Sequence, residues 1–208
     1  MGRIEEALKK AKASRGGSYG AGAAAVAPRL QPHAATGPGQ GKARSTVSRI
    51  LAGHIVPADN EKLREQRVIA ASEHDERVGP YRQLRTQLLK TMQDNRWTTL
   101  ALTSAHEGAG KSLTAANLAI SLSRDVNTHV LLVDLDLNTP TVHKKLNLQP
   151  EKGLVDYLRG ESELEEIVFD PGIDQLTVLV GRSAGKESSE LLSSPKMQQL
   201  MRDLCSQD

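Results

Sequence analysis

Apolar residues recur at two different periods along the chain, and the switches between them mark its elements. In the opening GRIEEALKKAKASRG, Ile4, Ala7, Leu8 and Ala11 fall at helical spacing among strong helix formers. Gly16-Gly17 ends the pattern, so the spacing predicts a short amphipathic helix over 1–15. From Gly16 to Thr46 no period survives, and the residues are almost all Gly, Ala, Pro, Ser and Gln with scattered Arg and Lys. Such a segment cannot bury enough apolar surface to offset ordering entropy, so a largely disordered basic linker is expected over 16–66, with short helices at most near its end. Lead-in helices are expected over 67–97, where YRQLRTQLLKTMQ sets Leu84, Leu88, Leu89 and Met92 on one stripe and Pro80 suits a first turn.

Beyond residue 97 the periods alternate. WTTLALTS reads as a strand, AHEGAG as a loop, and KSLTAANLAISLSR as a helix with Leu113, Ala116, Asn117, Ile120 and Leu122 at helical spacing. HVLLVDLD is a second strand, whose unbroken VLLV predicts burial on both faces. QLTVLVG (175–181) is a third strand, and SPKMQQLMRDL is a helix capped by Ser194. Strand–helix alternation predicts an α/β fold with a doubly wound, mainly parallel sheet and flanking helices over 98–208, preceded by the N-terminal arm.

Composition narrows the function. No run approaches the ~18 consecutive apolar residues that a membrane span requires, and the N-terminus lacks the order of a secretory signal, so a cytoplasmic location is expected. One cysteine, Cys205, excludes an intrachain disulfide. The net charge of +2 divides into +7 over residues 1–67 and −5 over the rest, a cationic arm on an acidic body. Only five aromatic residues occur, which argues against base stacking, and dispersed charge in a Gly/Ala-rich arm reads as a solvated tether. Nucleic acid is therefore not an expected partner.

The informative segment is Ser104-Ala105-His106-Glu107-Gly108-Ala109-Gly110-Lys111-Ser112. A GxxxxGK[ST] loop holds phosphates because its backbone N–H groups turn inward, its glycines let oxygens approach, its lysine neutralises charge and its hydroxyl ligates Mg²⁺. Ala105 replaces the first glycine. The candidate nucleotide-binding set is Glu107, Gly108, Ala109, Gly110, Lys111, Ser112 and Leu113. After the next strand come Asp134 and Asp136, two apart, so that on a strand both would face one side, beside the loop. One carboxylate could serve Mg²⁺ and the other could accept a proton. The alternative is that Asp134 caps a following turn and Asp136 is solvated. Lys111, Asp134 and Asp136 are the catalytic candidates; Ser112 and Asp134 are the metal candidates.

TSAHEGAGKSLTAANLAISLS followed by VLLVDLDLNTP resembles the P-loop kinases of bacterial exopolysaccharide systems, the bacterial tyrosine kinase family. That family belongs to the deviant-Walker ATPases, which include division-site and chromosome-partition ATPases. The resemblance spans Arg82 to about Leu204, and IEEALKKAK is similar to the start of polysaccharide-export autokinases. Two positions depart from the class patterns. Asn138 stands where the second motif usually has arginine, and His106 stands where partition-type ATPases carry a signature lysine, which favours the kinase branch. Arg82 and Arg85 match the arginines of the family's ExxRxxR packing motif, with Gly79 at its glutamate position; a solvated helix face is the other reading. The resemblance also implies a Walker B aspartate strand and a tyrosine-rich tail. Neither follows MRDLCSQD, so a truncated member is expected.

What the resemblance implies is an ATP- and Mg²⁺-dependent protein-tyrosine autokinase of exopolysaccharide or capsule export. It would be cytoplasmic, held at the inner membrane face by a polysaccharide co-polymerase partner, and self-associated through the Arg82–Arg85 region. A partition-type ATPase switch and a non-catalytic nucleotide-binding regulatory subunit are the alternatives.

Overall fold

The computed structural model describes residues 53–72 and 75–205. The helix expected over 1–15 and most of the expected linker lie outside the described residues. In chain order the elements are β1 (His54–Ile55), α1 (Asn60–Glu65), α2 (Gly79–Asn95), α3 (Lys111–Ser123), β2 (Val130–Val133), α4 (Val142–Lys145), α5 (Leu154–Arg159), β3 (Val168–Asp170), β4 (Leu176–Leu179), α6 (Ser188–Leu192) and α7 (Pro195–Cys205).

One sheet runs in the order β1-β3-β4-β2, parallel between β1 and β3 and between β4 and β2, and antiparallel within the β3–β4 hairpin. The mainly parallel α/β expectation holds. Side chains of β4 alternate between two cores, as a strand's period of two requires. Leu176 and Val178, with Val180 beyond the strand, meet Ala116, Ala119 and Ile120 of α3. On the opposite face Leu179 and Val168 meet Leu154 and Val155 of α5 and Met197 and Leu200 of α7. Each such buried Leu or Ile contributes about 1.5–3 kcal/mol of transfer free energy.

Three boundaries differ from the sequence expectation. Residues 53–66, assigned to the linker by composition, carry two short elements that join the body, although most of their side chains stay exposed. β1 joins the sheet, Asp59 accepts the Lys62 N–H at 3.2 Å to start α1, and Leu63 enters the core beside Val68 and Ala70. α1 is one of the short helices expected near the end of this segment, whereas a two-residue strand leaves no period to read. The strand expected at WTTLALTS has no sheet pairing among the described residues, and Trp97 and Leu100 are 58% and 40% exposed. Strand propensity there expresses fitness for a neighbour that the sheet does not place beside it. VLLV, expected to be buried on both faces, is only half-buried, because β2 is an edge strand paired with β4 alone.

The helices expected at YRQLRTQLLKTMQ, KSLTAANLAISLSR and SPKMQQLMRDL form as α2, α3 and α7. Pro80 lies in the first turn of α2, and the helix ends where Arg96 turns left-handed and returns its N–H to Met92 and Gln93. Ser194 caps α7 by accepting the Met197 N–H at 3.2 Å.

Candidate functional site

The loop before α3 is shaped by two left-handed residues, Gly108 (φ 76°) and Gly110 (φ 89°). Nothing lies within 4 Å of a Cβ placed at either position, so glycine is required there by backbone angle rather than by space. The turn at Gly110 starts α3 with its first N–H groups unused by helical bonding, and the positive end of a 13-residue helix dipole sits behind them. Upstream, Ser104 Oγ donates to the His106 carbonyl (3.0 Å), and His106 Nδ1 approaches the Glu107 carbonyl (3.1 Å). Glu107 and Ala109 are exposed. Leu113 packs against the core, which leaves its backbone as its contribution to the loop.

Lys111 Nζ lies 2.5 Å from Asp136 Oδ2. The ammonium group, with the Thr139 N–H that Asp136 also accepts, holds the Asp136 carboxyl below the usual carboxylate range. Asp134 is in a different setting. It is buried, with Oδ2 accepting the N–H groups of Thr141 and Val142 at 3.1 Å each and Oδ1 accepting that of Asp136 at 3.2 Å. Burial pushes its carboxyl up, against the pull of those N–H donors. The two aspartates do not share a strand face, because β2 ends at Val133 and both lie in the following turn. Asp134 turns inward to cap α4, while Asp136 reaches the loop lysine.

Thr141 ties the two halves of the site together. Its hydroxyl donates to Ser112 Oγ at 2.8 Å while its N–H donates to Asp134, so both metal candidates contact one residue. Sequence reasoning missed it; the signal available was a hydroxyl directly after Pro140. Asn117, assigned only to a helical spacing, is buried beneath the loop. It accepts the Ala70 N–H (2.9 Å) and donates to the carbonyls of Leu113 (3.0 Å) and Arg67 (3.3 Å). Asn138, at the motif's usual arginine position, accepts the Ser188 hydroxyl at 2.7 Å and is a structural link to α6. On α2, Arg85 donates to the Ser121 carbonyl of α3 at 3.1 Å, whereas Arg82 is exposed.

A left-handed glycine loop, a lysine and hydroxyl at the start of a helix, and a carboxylate pair at the carboxyl end of the adjacent strand form the arrangement with which P-loop domains can hold phosphates. Comparison with known proteins agrees. Residues 100–202 match the CobQ/CobB/MinD/ParA nucleotide binding domain.

Its relatives include bacterial proteins named tyrosine kinases. It is 37% identical over 125 residues to the tyrosine-protein kinase YwqD of Bacillus subtilis, across 60% of this chain and 52% of that protein. The structure is similar to the BceF tyrosine kinase domain (TM-score 0.59, 26% identity, covering 74% of this chain and 65% of that one). It is also similar to the kinase domain of the Escherichia coli tyrosine kinase ETK (TM-score 0.56, 30% identity, covering 62% and 50%). The chain thus spans about half the length of YwqD.

Proposed function

We propose that the chain binds ATP with Mg²⁺ at the 107–113 loop and acts as a protein-tyrosine kinase module in bacterial exopolysaccharide or capsule production, at the cytoplasmic face of the membrane. The observation that carries the reading is the Lys111–Asp136 pair seated between the glycine loop and the turn after β2. In this reading Lys111 meets the phosphate oxygens and Asp136 meets the acceptor hydroxyl, which the pair's position supports. Similarity to proteins named tyrosine kinases supports the choice of acceptor.

The residues fit a magnesium ion. Ser112 Oγ and the remaining Oδ1 lone pair of Asp134 are hard oxygen donors joined through Thr141, and Mg²⁺ favours one or two protein oxygens completed by substrate phosphates. When bound, the ion would neutralise phosphate charge. The protein's own contribution is positional. Lys111 would exchange the Asp136 carboxylate for phosphate oxygen, the α3 N–H groups would orient the phosphates, and the released Asp136 carboxylate would accept the tyrosine proton. Among the described residues no helix is long and apolar enough to cross a membrane.

Incubation with labelled ATP and Mg²⁺ followed by phosphotyrosine detection tests the reading. Labelling on tyrosine that is lost in Lys111→Met is expected. Release of phosphate without protein labelling would instead identify a partition-type ATPase switch. Binding of an ATP analogue with neither activity would identify a regulatory nucleotide-binding subunit.

A further inference from the structure

Next to the loop site, at the carboxyl ends of β2 and β4, lies a second cleft of about 450 Å³, within the ~300–1,000 Å³ range of ligand-binding sites. One wall is Asn138 to Lys144, the direct continuation of the turn that carries Asp136; the other is Pro150 to Lys152 and Gly181 to Ser183. Gly181 lets the walls meet, since a Cβ there would lie 2.8 Å from the Asp134 carbonyl oxygen.

The cleft is basic in an otherwise acidic body. Lys144, Lys152 and Arg182 line it with His143, against Glu151. Arg182 is held in place by the mostly buried Asp156 (3.3 Å) and the Glu151 carbonyl (2.7 Å), all through Nη1. The guanidinium has five N–H donors, so Nε and Nη2 remain for a guest. Lys144 is exposed and forms no ion pair among the described residues, and Lys152 pairs only with the exposed Glu166 at 2.6 Å. His143 Nδ1 is buried without a hydrogen-bond partner. Lys144, Lys152 and Arg182 come from three separate segments and bring three distinct cations to one cleft. That distribution suits a chain bearing several carboxylates better than a single small anion. The lining carries no Phe, Tyr or Trp on which nucleic-acid bases could stack.

We propose that this cleft docks an acidic protein segment flanking the acceptor tyrosine, delivering the tyrosine hydroxyl to Asp136; the inference rests on the kinase reading above. The groove would select substrates whose tyrosine is accompanied by glutamates or aspartates, a specificity separate from nucleotide binding.

The test is fluorescence anisotropy on the full chain with a labelled tyrosine peptide flanked by glutamates, and with the same peptide carrying glutamines. At low salt the acidic peptide is expected to bind at least tenfold more tightly. The preference should vanish in Lys144→Glu/Lys152→Glu while affinity for an ATP analogue stays within twofold. Equal binding of the two peptides by the wild-type protein would overturn the proposal. So would a preference unchanged in the double variant, or displacement of the acidic peptide by the ATP analogue. Should the double variant lose ATP-analogue binding through misfolding, a salt series on the wild-type protein decides, because a preference that does not decline with salt is not electrostatic. Phosphotyrosine formation is read separately, so its absence beside an intact acidic preference refutes the kinase reading and leaves the cleft assignment standing.

Discussion

Single residues in the loop carry distinct burdens, which substitutions separate. Lys111→Met removes the loop's cation, and charge-assisted hydrogen bonds are worth ~1.5–3 kcal/mol, so nucleotide affinity should fall roughly 10- to 100-fold in a calorimetric titration. The fold should be retained, because the Lys111–Asp136 pair is only partly buried and such pairs add little to stability. Gly110→Ala meets no atom but must hold a left-handed angle, at a cost of about 1–2 kcal/mol. A lower melting temperature together with weaker nucleotide binding is expected, whereas unchanged melting would show that the loop relaxes freely. The lysine, serine and glycines of this site were legible in the sequence because their chemistry is local to nine consecutive residues. The roles of the aspartates were not. Their two-residue spacing suggested a shared strand face, but the strand ends at Val133 and the turn sends the two carboxylates to different partners.

Among the elements, α3 is the one on which the site depends, and Asn117 joins it to the segment before α2. The Asn117 amide satisfies one N–H and two carbonyls, and Arg124, one residue past the end of α3, adds hydrogen bonds to the carbonyls of Ala70 and Ala71. Asn117→Ala would leave buried backbone groups unpaired, a loss of ~1–3 kcal/mol. Amide exchange in residues 67–71 should quicken in that variant well before exchange in β4 does; equal acceleration in both would show that the segment has no stability of its own to lose. Helix periods made α2, α3 and α7 readable. β1 and β3 were not, since two- and three-residue strands are held by tertiary pairing rather than by pattern.

For the molecule as a whole, the aspartates give a stability profile with two opposing parts. The Asp136 carboxyl is depressed, so its contribution is present above the unfolded carboxylate value of ~3.9 and is lost as pH falls through its lower folded value. Asp134 is raised, so its contribution is present below ~3.9 and is lost as pH rises through its higher folded value. Urea unfolding of wild type and Asp134→Asn from pH 7 to 4 should therefore show the difference moving in favour of the wild-type protein on acidification. A difference independent of pH would mean that burial does not govern Asp134. The two cores provide a separate measure: Leu154→Ala empties a fully buried site under β4 and should cost about 2–5 kcal/mol. By itself the sequence determined the α/β class, the phosphate loop and the helices, because each is written in local periods or contiguous chemistry. Only the tertiary structure decided that Asp134 caps α4, that Thr141 bridges to Ser112, that residues 53–72 belong to the body and that a basic cleft adjoins the loop. Each of those depends on contacts between residues far apart along the chain, which no local pattern encodes.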